Sequence, residues 1–154
     1  MAAEDLEADQ MDVSSAYLNG ELDVPIYMRQ PPGYELPGHE GDVCRLKKTL
    51  YGLKQSGRAW YQKLDSYLYD IGFERTKSDT CIYVRDIGTD SLTIIIVYVD
   101  DLIVVGKVRS SIESIKKELT SKFEMRDLGP LSFFLGVVIQ RNRTERTLTL
   151  SQRA

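Results

Sequence analysis

Residues Leu92–Gly106 read LTIIIVYVDDLIVVG, an apolar run with two adjacent carboxylates, Asp100 and Asp101, near its centre. Ionised carboxylates are costly to bury unless they are paired or bind a metal. Because the flanking isoleucines, valines and tyrosine favour strands, the run predicts two strands with the aspartates at or near the turn, projecting into a polar cleft. Two interpretations stay open here: a functional hairpin, or an ordinary surface turn, since aspartate is common in turns.

A further carboxylate stands near the end of another predicted strand. Met11–Leu18 predicts a short strand running into a turn or helix, with Asp12 at the junction. If the sheet brought this strand end beside Asp100 and Asp101, the carboxylates would form a divalent-metal site, because Mg²⁺ prefers a few carboxylates together with substrate phosphates. The sequence by itself does not decide whether these strand ends meet.

Helical and strand patterns elsewhere in the chain predict an α+β fold. An apolar stripe predicts a helix from Ser56 that ends at Gly72. Ser110 and Glu113 predict a capping box at the start of a second, amphipathic helix. Further strands are predicted over four ranges: Ile26–Arg29, Thr80–Arg85, Leu131–Ile139 and Thr147–Leu150.

Length and composition limit the classes of protein to which this chain can belong. A chain of 154 residues, 42% of them hydrophobic, suffices for one domain with a real core, or for a piece of one. The apolar run is interrupted by its aspartates and is too short to span a bilayer. The first ten residues, MAAEDLEADQ, lack the basic and apolar regions of a signal peptide. We therefore expect an intracellular protein, cytoplasmic or nuclear, and not a secreted one.

Charge is distributed unevenly along the chain. The net charge is −3, yet residues 1–42 sum to −9 and residues 43–154 to +6. Six cations are concentrated in a short stretch that contains no acidic residue: Arg45, Lys47, Lys48, Lys54, Arg58 and Lys63. Such a patch can bind along the phosphates of a nucleic acid. A cluster as diffuse as this one is more commonly just a solvated basic face of the protein.

Five segments carry a resemblance to a known family. In chain order they are QMDVSSAYLNGEL (Gln10–Leu22), IYMRQPPGY (Ile26–Tyr34), CRLKKTLYGLKQSGRAWY (Cys44–Tyr61), YVDDLIVVG (Tyr98–Gly106) and FEMRDLGPLSFFLGVVI (Phe123–Ile139). By these segments the chain resembles, over nearly its whole length, the reverse transcriptase domain of copia-type (Ty1/copia) LTR retrotransposons. The YVDD motif alone would be a weak signal, whereas five matches in the family's order, one of them containing LYGLKQS, are specific.

The resemblance implies a polymerase palm-like antiparallel sheet with helices packed on one face and a catalytic β-hairpin at Tyr98–Asp101. Residues 1–154 would form a partial reverse transcriptase domain, the palm, with most of the fingers missing at the N-terminus and the thumb missing at the C-terminus. A partial core exposes apolar surface, so we expect self-association or association with missing polyprotein segments. In the family, the cytoplasmic protein is located in a virus-like particle.

The resemblance also implies a metal-dependent reaction. Asp12 and Asp100 would be the principal ligands of two Mg²⁺ ions, for which Mn²⁺ can substitute. Asp101 would be a supporting ligand, and Val13 could add its backbone carbonyl. The reaction would be RNA-directed DNA synthesis, in which a primer 3′-hydroxyl attacks the α-phosphate of a deoxynucleoside triphosphate and pyrophosphate leaves.

Further roles follow from the same resemblance. Tyr17 would lie beneath the sugar of the incoming nucleotide, where it would clash with a 2′-hydroxyl, whereas without the family a core aromatic is an equal interpretation. Gln55 would contact the incoming nucleotide, and Lys54 or Arg58 nearby phosphates. The turn that grips the primer is expected at three residues: Phe134, Leu135 and Gly136.

Three functions remain as hypotheses. The first is a polymerase fragment that acts on an RNA template, a DNA primer and dNTPs, away from any membrane. The second is a catalytically inactive retrotransposon remnant that at most binds nucleic acid. The third is a metal-dependent phosphodiesterase or nuclease that uses the same aspartates, and it is disfavoured because the sequence lacks the further His, Glu or Asp cluster that such an enzyme needs.

Overall fold

Strands predominate in the computed structural model, which describes residues 1–152; the last two residues of the predicted domain lie outside the described residues. The two α-helices in this range are α1 (Ser56–Asp70) and α2 (Arg109–Lys122), and a short 3-10 helix covers Ala16–Asn19. The strands are β1 (Glu7–Val13), β2 (Tyr27–Arg29), β3 (Val43–Arg45), β4 (Glu74–Arg75), β5 (Ile82–Arg85), β6 (Thr93–Tyr98), β7 (Asp101–Gly106), β8 (Met125–Pro130), β9 (Phe133–Phe134), β10 (Val137–Asn142) and β11 (Thr147–Ser151).

The chain divides into two units. The first comprises Met1–Ser14 and the described residues from Tyr67 onward, and the second comprises Ser15–Ser66. The first unit contains a six-stranded antiparallel sheet in the order β4-β5-β6-β7-β1-β8 and a three-stranded sheet in the order β11-β10-β9. The second contains the β2-β3 ribbon and most of α1. The predicted combination of helices with antiparallel sheets is confirmed.

The core of the first unit forms around the predicted strand–turn–strand run. Buried and half-buried residues alternate along β6, as expected for a strand that has one face in the core. Residues 102–106 of β7 are all buried, because α2 packs on this central strand and a separate cluster that includes Leu131 and Phe134 covers Ile103 and Val105. Ile112, Ile115 and Leu119 form the buried stripe of α2, which packs on β7, β8 and β1.

The end of α1 follows from a glycine. Gly72 has a φ of +86°, which is unfavourable for residues with a Cβ. Its N–H donates to the Tyr69 carbonyl at 3.0 Å, and the Phe73 N–H donates to the Leu68 carbonyl at 2.9 Å. These are the two hydrogen bonds of a Schellman motif, so the predicted stop of this helix is confirmed.

Neither α1 nor α2, the two helices found in the described residues, is both long enough and apolar enough to cross a membrane.

A buried ion network joins α2 to β1. The side chain of Asp9, only 1% exposed, accepts two hydrogen bonds from the Arg109 guanidinium, at 2.6 and 2.7 Å, and one from Lys116 Nζ at 2.7 Å. Lys116 also reaches Asp127 on β8 at 2.6 Å and Glu113 at 3.3 Å. A buried carboxylate is tolerated only when it is paired in this way, so the network specifies which face of β1 lies under α2.

The network sets the protonation states of its members. Burial alone would raise the pKa of Asp9, but the hydrogen bonds from Arg109 and Lys116 outweigh burial and hold that pKa below its ordinary value. Burial alone would lower the pKa of Lys116, and the hydrogen bonds to Asp127 and Asp9 raise it instead. Both groups are therefore charged at neutral pH.

The structure departs from the local predictions in several places. β3, β4 and β8 were not predicted: β3 and β4 have only three and two residues, and the β8 sequence, MRDLGP, contains charges, glycine and proline. The prediction of one strand over Leu131–Ile139 is wrong, since β9 and β10 are separated there by a two-residue turn. The capping box is also wrong: within the described residues no side chain caps α2, whose N-cap is Val108, and Glu113 pairs with Arg109 and Lys116.

We expect Asp9→Asn to lower the free energy of unfolding at pH 7 by about 3 kcal/mol, since it leaves the cations of Arg109 and Lys116 without their buried anion. A depressed carboxyl pKa contributes stability above the unfolded-state value of about 4, and this contribution disappears as the pH falls through the folded-state pKa. Urea unfolding at pH 7 and at pH 3 measures both effects. If the free energies of unfolding of wild type and Asp9→Asn differ as much at pH 3 as at pH 7, the lowered pKa of Asp9 is contradicted.

Candidate functional site

The carboxylates of the predicted hairpin lie at a tight turn. β6 ends at Tyr98 and β7 begins at Asp101, whose Cα atoms are paired across the hairpin, so Val99 and Asp100 form a two-residue turn. Val99 has a φ of +57°. A β-branched residue is rarely found in this region, and such conformations cost roughly 1–3 kcal/mol where the surrounding structure enforces them. The turn that presents the aspartates is therefore strained.

The sheet brings Asp12 to the same turn. β1 pairs with β7 in antiparallel register, and Asp12 is the Cα partner of Asp101. The next residue, Val13, donates its N–H to the carbonyl of Asp100 at 2.8 Å. Cα atoms paired across antiparallel strands are about 4.5–5.5 Å apart, so two carboxyl-bearing residues are neighbours at the end of these strands. Like charges so placed repel each other unless cations or hydrogen-bond donors compensate them.

Two side chains supply this compensation. Arg126 on β8 donates from Nε and Nη2 to Oδ2 of Asp12, at 3.0 and 2.7 Å. Gln10, two residues before Asp12 on the same face of β1, donates from Nε2 to Oδ1 of Asp101 at 3.2 Å. The Asp12 side chain is 21% exposed and that of Arg126 is 72% exposed, so solvent reaches this pair.

The donor chemistry of the site fits a hard divalent cation. Asp12 and Asp101 face each other in register and Asp100 adjoins them, so carboxylate oxygens, the ligands that Mg²⁺ prefers, are grouped at one strand end. Within residues 1–152, however, no three His, Cys, Asp or Glu side chains converge closely enough to hold an ion as they stand. The group in contact with Asp12 is the guanidinium of Arg126, so loading a cation requires side-chain movement.

The residues expected to contact the nucleotide lie in the second unit. Gln55 and Arg58 line one cavity of about 250 Å³, together with acidic and polar residues. The remaining lining residues are Glu21, Asp23, Ala59 and Gln62. The Tyr17 ring lies against the Tyr51 ring with their centroids 4.6 Å apart, and Lys54 is exposed. The structure thus brings Gln55 and Arg58 together at one polar cavity.

The three residues expected to grip the primer form a turn of the first unit. β9 ends at Phe134, β10 begins at Val137, and Leu135 and Gly136 between them both have positive φ, the signature of a type I′ turn. Phe134 is partly buried against a core cluster that includes Ile103 of β7. The turn is therefore anchored to the strand that begins at Asp101, two residues before Ile103.

Sequence reasoning missed two residues of the carboxylate site. A signal existed for Gln10, because residues two apart on a strand share a face and Gln10 precedes Asp12 by two residues. For Arg126 no local signal existed, since its position depends on the pairing of β8 with β1, which are more than one hundred residues apart in the chain.

Comparisons with known proteins agree with one another. The model of the family described as reverse transcriptase (RNA-dependent DNA polymerase) matches residues 1–154. The retrovirus-related Pol polyprotein from transposon TNT 1-94 of Nicotiana tabacum is 45% identical over 151 residues, which cover 98% of this chain and 11% of that protein. The corresponding polyprotein from transposon RE1 of Arabidopsis thaliana is 41% identical over 144 residues, covering 94% of this chain and 10% of that protein.

A yeast protein is similar as well. The transposon Ty1-DR4 Gag-Pol polyprotein of Saccharomyces cerevisiae is 35% identical over 118 residues, covering 76% of this chain and 7% of that protein. The chain thus spans about a tenth of the length of the plant relatives that it matches, and less of the yeast one.

We expect Val99→Gly to raise the free energy of unfolding by about 1 kcal/mol, because glycine relieves the strain at positive φ and offsets only part of that gain through its greater unfolded-state entropy. Thermal unfolding followed by circular dichroism measures the change. Val24→Gly is the matched control, since Val24 is exposed and its φ is not positive, and it should give no gain. Equal shifts in the two variants would contradict strain at the turn.

Proposed function

The chain belongs to the reverse transcriptase family of RNA-dependent DNA polymerases, and we propose that Asp12, Asp100 and Asp101 form the centre at which a primer is extended. Its relatives are Pol polyproteins of Ty1/copia-type retrotransposons. The observation that carries this proposal is the register that sets Asp12 opposite Asp101, beside the strained turn of Val99 and Asp100. The proposed substrates are an RNA template, a DNA primer and dNTPs.

The proposed reaction needs negatively charged phosphates to approach a group of carboxylates. Two Mg²⁺ ions, held by Asp12, Asp100, Asp101 and the carbonyl of Val13, would lower the pKa of the primer hydroxyl and stabilise the leaving pyrophosphate. The hydrogen bond from Gln10 orients the Asp101 carboxylate, and the hydrogen bond from Val13 to Asp100 holds the two strand ends together. No side-chain nucleophile is required.

Other parts of the chain would position the substrates. The turn of Leu135 and Gly136, fixed through Phe134, would support the primer end. Gln55, which lines the same cavity as Arg58, would contact the incoming nucleotide, and Lys54 or Arg58 would contact nearby phosphates. Tyr17 would select deoxynucleotides by contact with the sugar. These roles are carried over from the resemblance to the family, and each can be tested by substitution.

A second candidate is a remnant that binds nucleic acid without extending it. The observation in its favour is the exposure of most of the basic patch in the second unit, with the exposed members Arg45, Lys47, Lys48, Lys54 and Arg58. Exposed cations of this kind bind phosphates regardless of sequence. Binding and extension therefore have to be measured separately.

The decisive experiment is extension of a labelled DNA primer on an RNA template with Mg²⁺ or Mn²⁺, comparing the wild-type chain with Asp100→Asn. Loss of a carboxylate worth several kcal/mol to the transition state should lower the extension rate at least about 10²-fold. Asp90→Asn is the matched control, since Asp90 is exposed and pairs with a surface lysine, Lys107, and this variant should extend the primer like wild type.

Fluorescence anisotropy with the same RNA–DNA hybrid measures binding in each variant. Equal extension by wild type and Asp100→Asn would exclude the proposed centre. Hybrid binding by a folded wild-type chain that extends nothing, even within a longer chain carrying flanking polyprotein sequence, would favour the remnant.

A further inference from the structure

We propose that Arg126 is a positioning residue that neutralises and holds Asp12 while no cation is bound, and that it releases this carboxylate when a divalent cation binds. The inference rests on the proposed function, because it concerns the same carboxylates. Arg126 and the cation compete for the Asp12 carboxylate, and this competition sets the apparent affinity of the centre for the cation.

The position of Arg126 depends on a β-bulge. β8 pairs with β1 from Asp9 to Val13, and the register shifts between Gln10 and Met11. Gln10 is the partner of Gly129 whereas Met11 is the partner of Asp127, so Leu128 is the extra residue. A bulge of this kind changes which side chain faces the partner strand.

The shift decides the sign of the charge that Asp12 meets. With the bulge, Asp12 is the partner of Arg126. Without the bulge, continuous pairing from Gln10 and Gly129 would set Asp12 opposite Asp127, a like-charge pair that is destabilising. The bulge therefore gives Asp12 a cation and leaves Asp127 on the face of α2, where Lys116 reaches it at 2.6 Å.

The backbone of Arg126 is fixed, while its side chain is free to move. Lys116, only 7% exposed, holds both Asp127 on β8 and Asp9 on β1, so the two strands are joined next to Arg126. The Arg126 side chain is 72% exposed. Exposed ion pairs are weak because water and salt screen them, so a divalent cation can displace the guanidinium without disturbing the sheet.

Competition of this kind lowers the apparent affinity for the cation. The Asp12 carboxylate binds a cation only in the fraction of molecules in which Arg126 has moved away, and the apparent Kd equals the intrinsic Kd divided by that fraction. Removing the guanidinium should therefore tighten cation binding, whereas removing an arginine that does not contact the centre should leave it unchanged.

The test is a titration of the whole chain with Mn²⁺, in which EPR measures the free ion, so that no polymerase activity is needed. We expect Arg126→Gln to lower the Kd about two- to fivefold relative to wild type. Arg126→Lys keeps the positive charge but lacks the two-donor geometry of the guanidinium. Its Kd should lie between those of wild type and Arg126→Gln. Arg143→Gln is the control, since Arg143 pairs with Glu7, which lies on β1 as Asp12 does, and its Kd should match that of wild type.

A double-substitution cycle separates the ion pair from the general field of the arginine. In the Asp12→Asn background, Arg126→Gln should no longer change the Kd, because the partner is absent. An effect of the same size in that background would overturn the inference, as would equal Kd values for wild type and Arg126→Gln. Absence of Mn²⁺ binding in every variant would overturn the proposed metal centre and this inference together, whereas the other two outcomes leave the centre intact.

Discussion

The pairing of β1 with β7 on one side and β8 on the other is the constraint on which the rest of the structure depends. Side chains on a strand alternate between faces, so a slip of one residue would exchange every group between the helix side and the carboxylate side. In the observed register Asp9 lies under α2 and Asp12 stands opposite Asp101 at the strand end. The core and the candidate centre are thus consequences of one set of backbone hydrogen bonds.

The two aspartates of β1 are compensated in opposite ways. Asp9 is buried and has partners from both Arg109 and Lys116, and these hydrogen bonds lock a helix to the sheet. Asp12 is partly open to solvent and is paired with the exposed side chain of Arg126. The difference in burial separates a carboxylate that serves stability from one that is available for exchange with an external cation.

Local patterns predicted much of the fold but not the assembly of the site. The apolar run around Asp100 and the stripe before Gly72 predicted a hairpin and a helix, because periodicity and a glycine stop are local signals. The pairing of Asp12 with Asp101 is non-local. The sequence could therefore predict a metal site only on the condition that the sheet brings these strand ends together. β8 escaped prediction because its pairing rather than its composition makes it a strand, and Arg126 was missed with it.

The bulge at Leu128 has a consequence for the solubility of the protein. β8 is an outer strand of the six-stranded sheet, and outer strands present unpaired backbone groups to which other chains can add. An irregular strand that contains Gly129 and ends at Pro130 is a poor template for such addition, since proline lacks an N–H and the bulge breaks the regular spacing of donors and acceptors. The irregularity that selects the partner of Asp12 therefore also protects the sheet against edge-to-edge aggregation.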